Sequence, residues 1–161
     1  MDKIYAPWRD AYVVKSTKKS DSKTCVFCKS VQSKEDTKNF VLKRYPNSLV
    51  LLNLYPYNAG HLLVIPNKHY KDLQSLTNDD RAELMYVVSE SITALNKTLK
   101  PDGINIGINL GNAAGASITN HLHVHILPRW NGDTNFLPAL AETKQVSIDL
   151  KKIYAKIKAG F

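Results

Sequence analysis

Apolar residues run through the middle of the chain in short blocks, each closed by a turn signal, and the spacing within each block predicts its structure. Phe40 to Tyr45 and Ser48 to Asn53 read as two strands joined at the Pro46-Asn47 turn pair. Leu54 to Gly60 carries Pro56, Asn58 and Gly60 and reads as a loop, and His61-Leu-Leu-Val-Ile-Pro66 as a third strand ending at its proline. Thr77 or Asn78 can cap a long helix with Asp79, Asp80 and Glu83 in its first turn. Leu84, Val88, Ile92, Leu95 and Leu99 recur on one face, an apolar stripe suited to a core, and Pro101-Asp102-Gly103 stops the helix. Ile104 to Leu110 and His121 to Pro128 read as the fourth and fifth strands, and Ser147 to Lys158 as a C-terminal helix with Ile148, Ile153 and Ile157 inward. Met1 to Lys38 is polar and reads as irregular, with a flexible loop over Ser16 to Lys23. Strands followed by a helix and further strands predict an α+β fold with a five-stranded, largely antiparallel sheet.

Composition narrows the class. A length of 161 residues fits one domain over 1–161 and buries a core without disulfides. Its 43% hydrophobic and 22% charged residues are ordinary for a globular protein, which argues against wholesale disorder. Asp2, Arg9, Asp10 and Lys15 break up any signal-peptide core, and runs such as Leu62 to Pro66 are too short to span a bilayer, so a cytoplasmic location is expected. The net charge of +8 lies largely in Lys15 to Lys38 and Lys144 to Lys158, where interspersed acidic residues suit a solvated surface. No basic-aromatic signature points to a specific nucleic acid.

Three of the five histidines fall within five residues, His121-Leu-His123-Val-His125. On a strand, alternation places these three imidazoles on one face and Leu122, Val124 and Ile126 on the core face. Such a ladder suits metal chelation, nucleophilic catalysis or general acid–base chemistry. The preceding loop, from Gly107 through Asn109, Gly111 and Gly115 to Ser117, is rich in glycines, amides and a hydroxyl, which suits phosphate oxygens. It lacks the Gly-Lys-Ser/Thr ending of a P-loop. Cys25-x-x-Cys28 can supply half of a zinc site, with ordinary free thiols the alternative.

His121-Leu-His123-Val-His125-Ile-Leu, followed by Pro128-Arg129, resembles the His-φ-His-φ-His-φ-φ signature of the histidine triad family. Asn53 and Gly60-His61-Leu-Leu-Val-Ile-Pro66 are similar to that family's segment ahead of its long helix, and the resemblance runs from Cys25 to Pro138. Tyr5-Ala-Pro-Trp-Arg9, Asn53-Leu-Tyr-Pro-Tyr57 and Trp130 to Phe136 resemble a microbial branch near the fragile-histidine-triad and dinucleoside-tetraphosphate phosphorylase-like members.

The resemblance implies that His123 attacks the α-phosphorus of a nucleotide to form a nucleotidyl-histidine, which passes to water or to phosphate. His121 and His125 would flank it: the His121 carbonyl fixes the tautomer of His123, and His125 binds phosphate. His61 would sit near the triad, Asn53 at the ribose hydroxyls, and Asn109 and Ser117 at the phosphates or leaving group. Phe27, Leu54 and Leu62 are candidate base-pocket walls, each equally able to be plain core. Trp8, Tyr57 and Trp130 could stack on a second nucleoside.

The family often has Gly-Gln before the hydroxyl residue. Here Gly115-Ala116-Ser117 stands, with one extra residue before His121, so hydrolysis and phosphorolysis both stay open. Some members bind a structural zinc through such a cysteine pair and two histidines, which correspond here to His69 and His121. The resemblance further implies a homodimer that pairs its sheets. The expected substrate is a dinucleoside polyphosphate such as diadenosine tetraphosphate. The alternatives are a purine nucleoside phosphoramidase or a non-catalytic nucleotide-binding zinc module.

Overall fold

A computed structural model describes residues 25–134, 144, 146 and 148–161. The Tyr5–Arg9 stretch with Trp8, the Ser16–Lys23 loop, Phe136, Pro138 and Ser147 lie outside the described residues. The five predicted strands form as β1 (Val41–Arg44), β2 (Ser48–Leu52), β3 (Leu62–Pro66), β4 (Gly103–Gly107) and β5 (Val124–Arg129). They make one antiparallel sheet in the order β1-β2-β3-β5-β4. The helices are α1 (Val26–Gln32), α2 (Asn78–Thr98) and α3 (Leu150–Lys158). Among the described residues no helix is long and apolar enough to cross a membrane.

The two faces of the sheet are covered by different elements, which is why β2 and β3 are buried throughout rather than at alternate positions. Leu42, Val50, Leu52, Leu62, Val64, Leu122, Val124 and Ile126 pack against Leu84, Val87, Val88 and Leu95 of α2 and Tyr154 and Ile157 of α3. Leu62 is thus plain core. The opposite face, with Val41, Leu49, Leu51, Leu63 and Ile65, packs on Phe27 of α1. Thr77 caps α2, its hydroxyl accepting the Asp80 N–H at 3.1 Å. Asp149 caps α3, which starts later than the sequence predicts.

Two expectations are corrected. The cysteine segment is helical, not irregular: Phe27 and Val31, four residues apart, bury one face in a short turn whose remaining positions are polar. Arg44 holds this helix to the sheet by donating to the Ser30, Val31 and Ser33 carbonyls at its C-terminal end and to Asp36. Secondly, β5 begins at Val124, so His121 and His123 precede the ladder. Pro66 ends β3, and the chain at Leu122 instead donates its N–H to the Tyr70 carbonyl at 2.6 Å. Phe27 covers the triad face, and His121 and His123 are 1% and 5% exposed.

α3 grips the edge strand β1. A register shift between Val41 and Lys43 frees carbonyls there, and the Tyr154 hydroxyl and Lys158 ammonium donate to Val41 and Leu42. The loop between β2 and β3 closes on Gly60, whose φ is +76° and whose missing Cβ leaves room for Leu99, Pro128 and Ile157. Gly60→Ala forces both a left-handed non-glycine residue and an overlap with Leu99. It should lower unfolding stability by about 2 kcal/mol or more in denaturant titration.

Candidate active site

The site forms where the β2–β3 loop, β4 and the start of β5 meet. In antiparallel register Leu63 lies opposite His125, and Gly107 opposite His125 on the other side, so His125 sits mid-sheet on the α1 face. His61 lies diagonally across, its Nε2 3.0 Å from His125 Nδ1. His123 and His125 have ring centroids 4.9 Å apart, and Phe27 lies 5.2 Å from His123 and 5.5 Å from His121.

The hydrogen bonds determine every tautomer in this cluster. His123 Nδ1 lies 2.9 Å from the His121 carbonyl, which only accepts, so Nδ1 carries the proton and Nε2 a lone pair. Among the described residues nothing engages that Nε2. His61 Nδ1 accepts the Tyr57 backbone N–H at 3.2 Å. Asn53 Oδ1 accepts the Tyr55 N–H at 3.0 Å, which orients its amide so that Nδ2 also donates to His61 Nδ1, at 3.3 Å. His61 therefore carries its proton on Nε2 and donates it to His125 Nδ1. His125 in turn carries its own proton on Nε2, a buried donor without a protein partner. The cluster thus presents a bare nitrogen on His123 and an N–H on His125.

Burial keeps these rings neutral. Desolvation, reinforced by His125 and His123, pushes His61 down to about 3. Desolvation with His123 nearby pushes His125 to about 4. Burial also lowers His123, opposed by its bond to the His121 carbonyl, and lowers His121.

Tyr57, His61, His125 and Leu127, with Asn105, Ile106, Gly107 and Asn109 along the β4 side, line a cleft of about 190 Å³. The candidates separate accordingly. His61, His125 and Asn109 line the cleft, while Asn53 stands behind it holding His61. Phe27 is buried against the triad, Leu54 is half exposed on the loop, and Ser117 is exposed. Neither Leu54 nor Ser117 lines the cleft. Asn105 and Leu127 were not foreseen, although both follow once β4 and β5 are set in register.

A second cluster lies beyond His121. The ligand atoms of Cys25, Cys28, His69 and His121 all fall within 4.8 Å of one another. Cys28 Sγ is 3.1 Å from His69 Nδ1, and Cys25 and Cys28 Sγ are 3.4 and 3.5 Å from His121 Nδ1. Those separations suit the edges of a tetrahedron around an ion with bonds of about 2.0–2.3 Å. His121 Nε2 donates to the Pro66 carbonyl at 2.9 Å, which leaves Nδ1 as the ligating lone pair. The four residues fit a metal ion.

A family profile described as the HIT domain matches residues 33–132. The chain belongs to the HIT family. The HIT chain is 34% identical over 150 residues to an AP-4-A phosphorylase of Mycobacterium tuberculosis, covering 91% of this chain and 77% of that one. It is 36% identical over 131 residues to an uncharacterised HIT-like protein of Methanocaldococcus jannaschii, covering 80% and 98%. Among solved structures, a Zn-bound histidine triad family protein from Mycobacterium smegmatis superposes with a TM-score of 0.70 at 30% identity, over 85% of this chain and 92% of that one.

The lowered imidazoles carry a sign for stability. In the unfolded chain a histidine takes up a proton near pH 6.5, whereas folded His61 and His125 resist it until about 3 and 4. Their neutral burial is therefore fully compatible with folding above the unfolded value and opposes folding progressively as pH falls below it. Thermal midpoints should drop between about pH 7 and pH 4.5, and His125→Asn should flatten that drop.

Proposed function

We propose that this HIT protein is a nucleotidyl hydrolase or transferase that cleaves dinucleoside polyphosphates, such as diadenosine tetraphosphate, at an α-phosphate. The observation that carries the reading is the pairing of opposite tautomers: a free Nε2 on His123 beside an unpartnered Nε2–H on His125. His123 Nε2 attacks the α-phosphorus, forming a P–N bond as the bond to the leaving phosphate oxygen breaks. His125 Nε2–H donates to a phosphoryl oxygen, stabilising charge by position rather than by a full positive charge. An oxygen of water or of inorganic phosphate then attacks phosphorus and breaks the P–N bond, restoring His123. The 34% identity to an AP-4-A phosphorylase favours phosphate as acceptor.

The same proposal assigns Cys25, Cys28, His69 and His121 to zinc, with a structural role: the ion would cross-link α1 to the triad segment. It places Asn109 by the phosphates and Tyr57, half exposed beside His61 and His125, where a second nucleoside can stack. It also takes a homodimer as the working unit, with the sheet edge β4, where Ile106 is half exposed, as the edge a second copy pairs with.

Diadenosine tetraphosphate should be cleaved by the purified protein, with products separated by chromatography. ADP plus ATP only when phosphate is added means phosphorolysis, and AMP plus ATP without it means hydrolysis. No cleavage in either case overturns the reading. His123→Ala should lose turnover by more than about a thousandfold while still binding nucleotide. Cys28→Ser should lose bound zinc by elemental analysis and melt at lower temperature, with activity falling as a consequence.

A further inference from the structure

The cleft has two walls, and a single carboxylate outside it reaches both. Asp133, with a side chain 7% exposed, accepts from Arg129 Nε at 2.6 Å and Nη2 at 2.9 Å. Its Oδ2 also accepts from Asn58 Nδ2 at 2.6 Å, and from the Trp130 N–H. Arg129 Nη1 continues to Asn105 Oδ1 at 2.9 Å, on the β4 wall. Asn58 belongs to the opposite wall: it is the one buried side chain between Leu54 and Ala59, and its Nδ2 also donates to the Pro128 carbonyl at 3.0 Å. The neighbouring residues of that loop carry the donors that orient His61, the Tyr57 N–H and Asn53 Nδ2. Leu54, Tyr55 and Tyr57 are 43–50% exposed, so little apolar burial is available to hold this part of the loop and its polar contacts matter more.

We infer that Asp133, acting through Asn58 and Arg129, is the positioning residue of the cleft. It pins the β2–β3 loop on one side and Asn105 on the other, and so maintains the donor chain from Tyr57 and Asn53 through His61 to His125 Nε2. Loosening Asn58 lets the loop drift, the two donors leave His61 Nδ1, and His61 and His125 then populate both neutral tautomers. The consequence for turnover rests on the function proposed above; the consequence for the tautomers does not.

Imidazole nitrogen shifts in ¹⁵N-histidine protein, read by NMR, report each tautomer directly. The parent protein should show His61 and His125 protonated at Nε2 and His123 at Nδ1. In Asn58→Ala, His61 and His125 should show mixed tautomers while His123, held by the His121 carbonyl, is unchanged. Turnover should fall about tenfold to a hundredfold, with KM within about twofold. Asp133→Asn keeps the shape and removes the charge that holds Arg129, and should move the same signals; it carries the test if Asn58→Ala does not fold. A purely architectural role would lower the melting temperature and leave all three histidines as in the parent, and that result in a folded variant overturns the assignment. A parent protein that cleaves no dinucleoside polyphosphate overturns the proposed function instead, leaving the tautomer shifts to decide the positioning role.

Discussion

The structure turns on His121, which uses its ring and its main chain in three directions at once. Its Nδ1 faces two cysteine sulfurs, its Nε2–H is spent on the Pro66 carbonyl, and its own carbonyl takes the Nδ1 proton of His123. At 1% exposure none of these groups has water to fall back on. Losing any partner leaves a buried polar group unsatisfied at about 1–3 kcal/mol. Pro66 matters here because β5 pairs with β3 only as far as Val64, which leaves the Pro66 carbonyl to the imidazole. The cysteine–histidine cluster and the nucleophile candidate thus meet at one residue, and displacing α1 from the sheet would disturb both.

From that joint the chain builds two histidines of opposite tautomer only two residues apart. His123 is set by a backbone carbonyl within its own segment, whereas His125 is set from across the sheet by another imidazole, itself set by amide donors. The difference in source is what allows adjacent positions to present a lone pair and a donor at the same ring nitrogen. Keeping the rings neutral in a buried site avoids mutual repulsion, and fixed dipoles in low dielectric stabilise developing charge without reorganisation.

Much of this was legible in the sequence because it depends on period and local signals. The five strands, the long helix with its Thr77 cap, and Leu122, Val124 and Ile126 on the core face follow from alternation and helical spacing. The conjunction of Cys25, Cys28, His69 and His121 was legible only through family resemblance, since nothing local joins residues 96 positions apart. α1 was missed because seven residues with two inward apolar positions do not make a period. Alternation says which histidines share a face but not what covers it; Phe27 does.

The hydrogen bonds behind the cleft were not legible at all, and the reason bears on how such a site is built. A loop that borders a cleft must keep its rim exposed to a ligand, so it cannot be fixed by burying apolar side chains. Here Leu54, Tyr55 and Tyr57 stay 43–50% exposed, and the backbone is held by polar contacts, the Tyr55 and Tyr57 N–H groups on Asn53 and His61 and the Asn58 amide on a buried carboxylate, together with a glycine whose missing side chain admits Leu99. Asn58 and Asp133 are 75 residues apart and sit in segments that read only as turns. Polar anchoring of this kind has no periodicity, and its partners are recognised only when the register of β5 brings Pro128 and the turn after it against the β2–β3 loop. Apolar burial sets where the sheet lies, and polar contacts with backbone carbonyls and loop donors then set which nitrogen of each imidazole carries its proton.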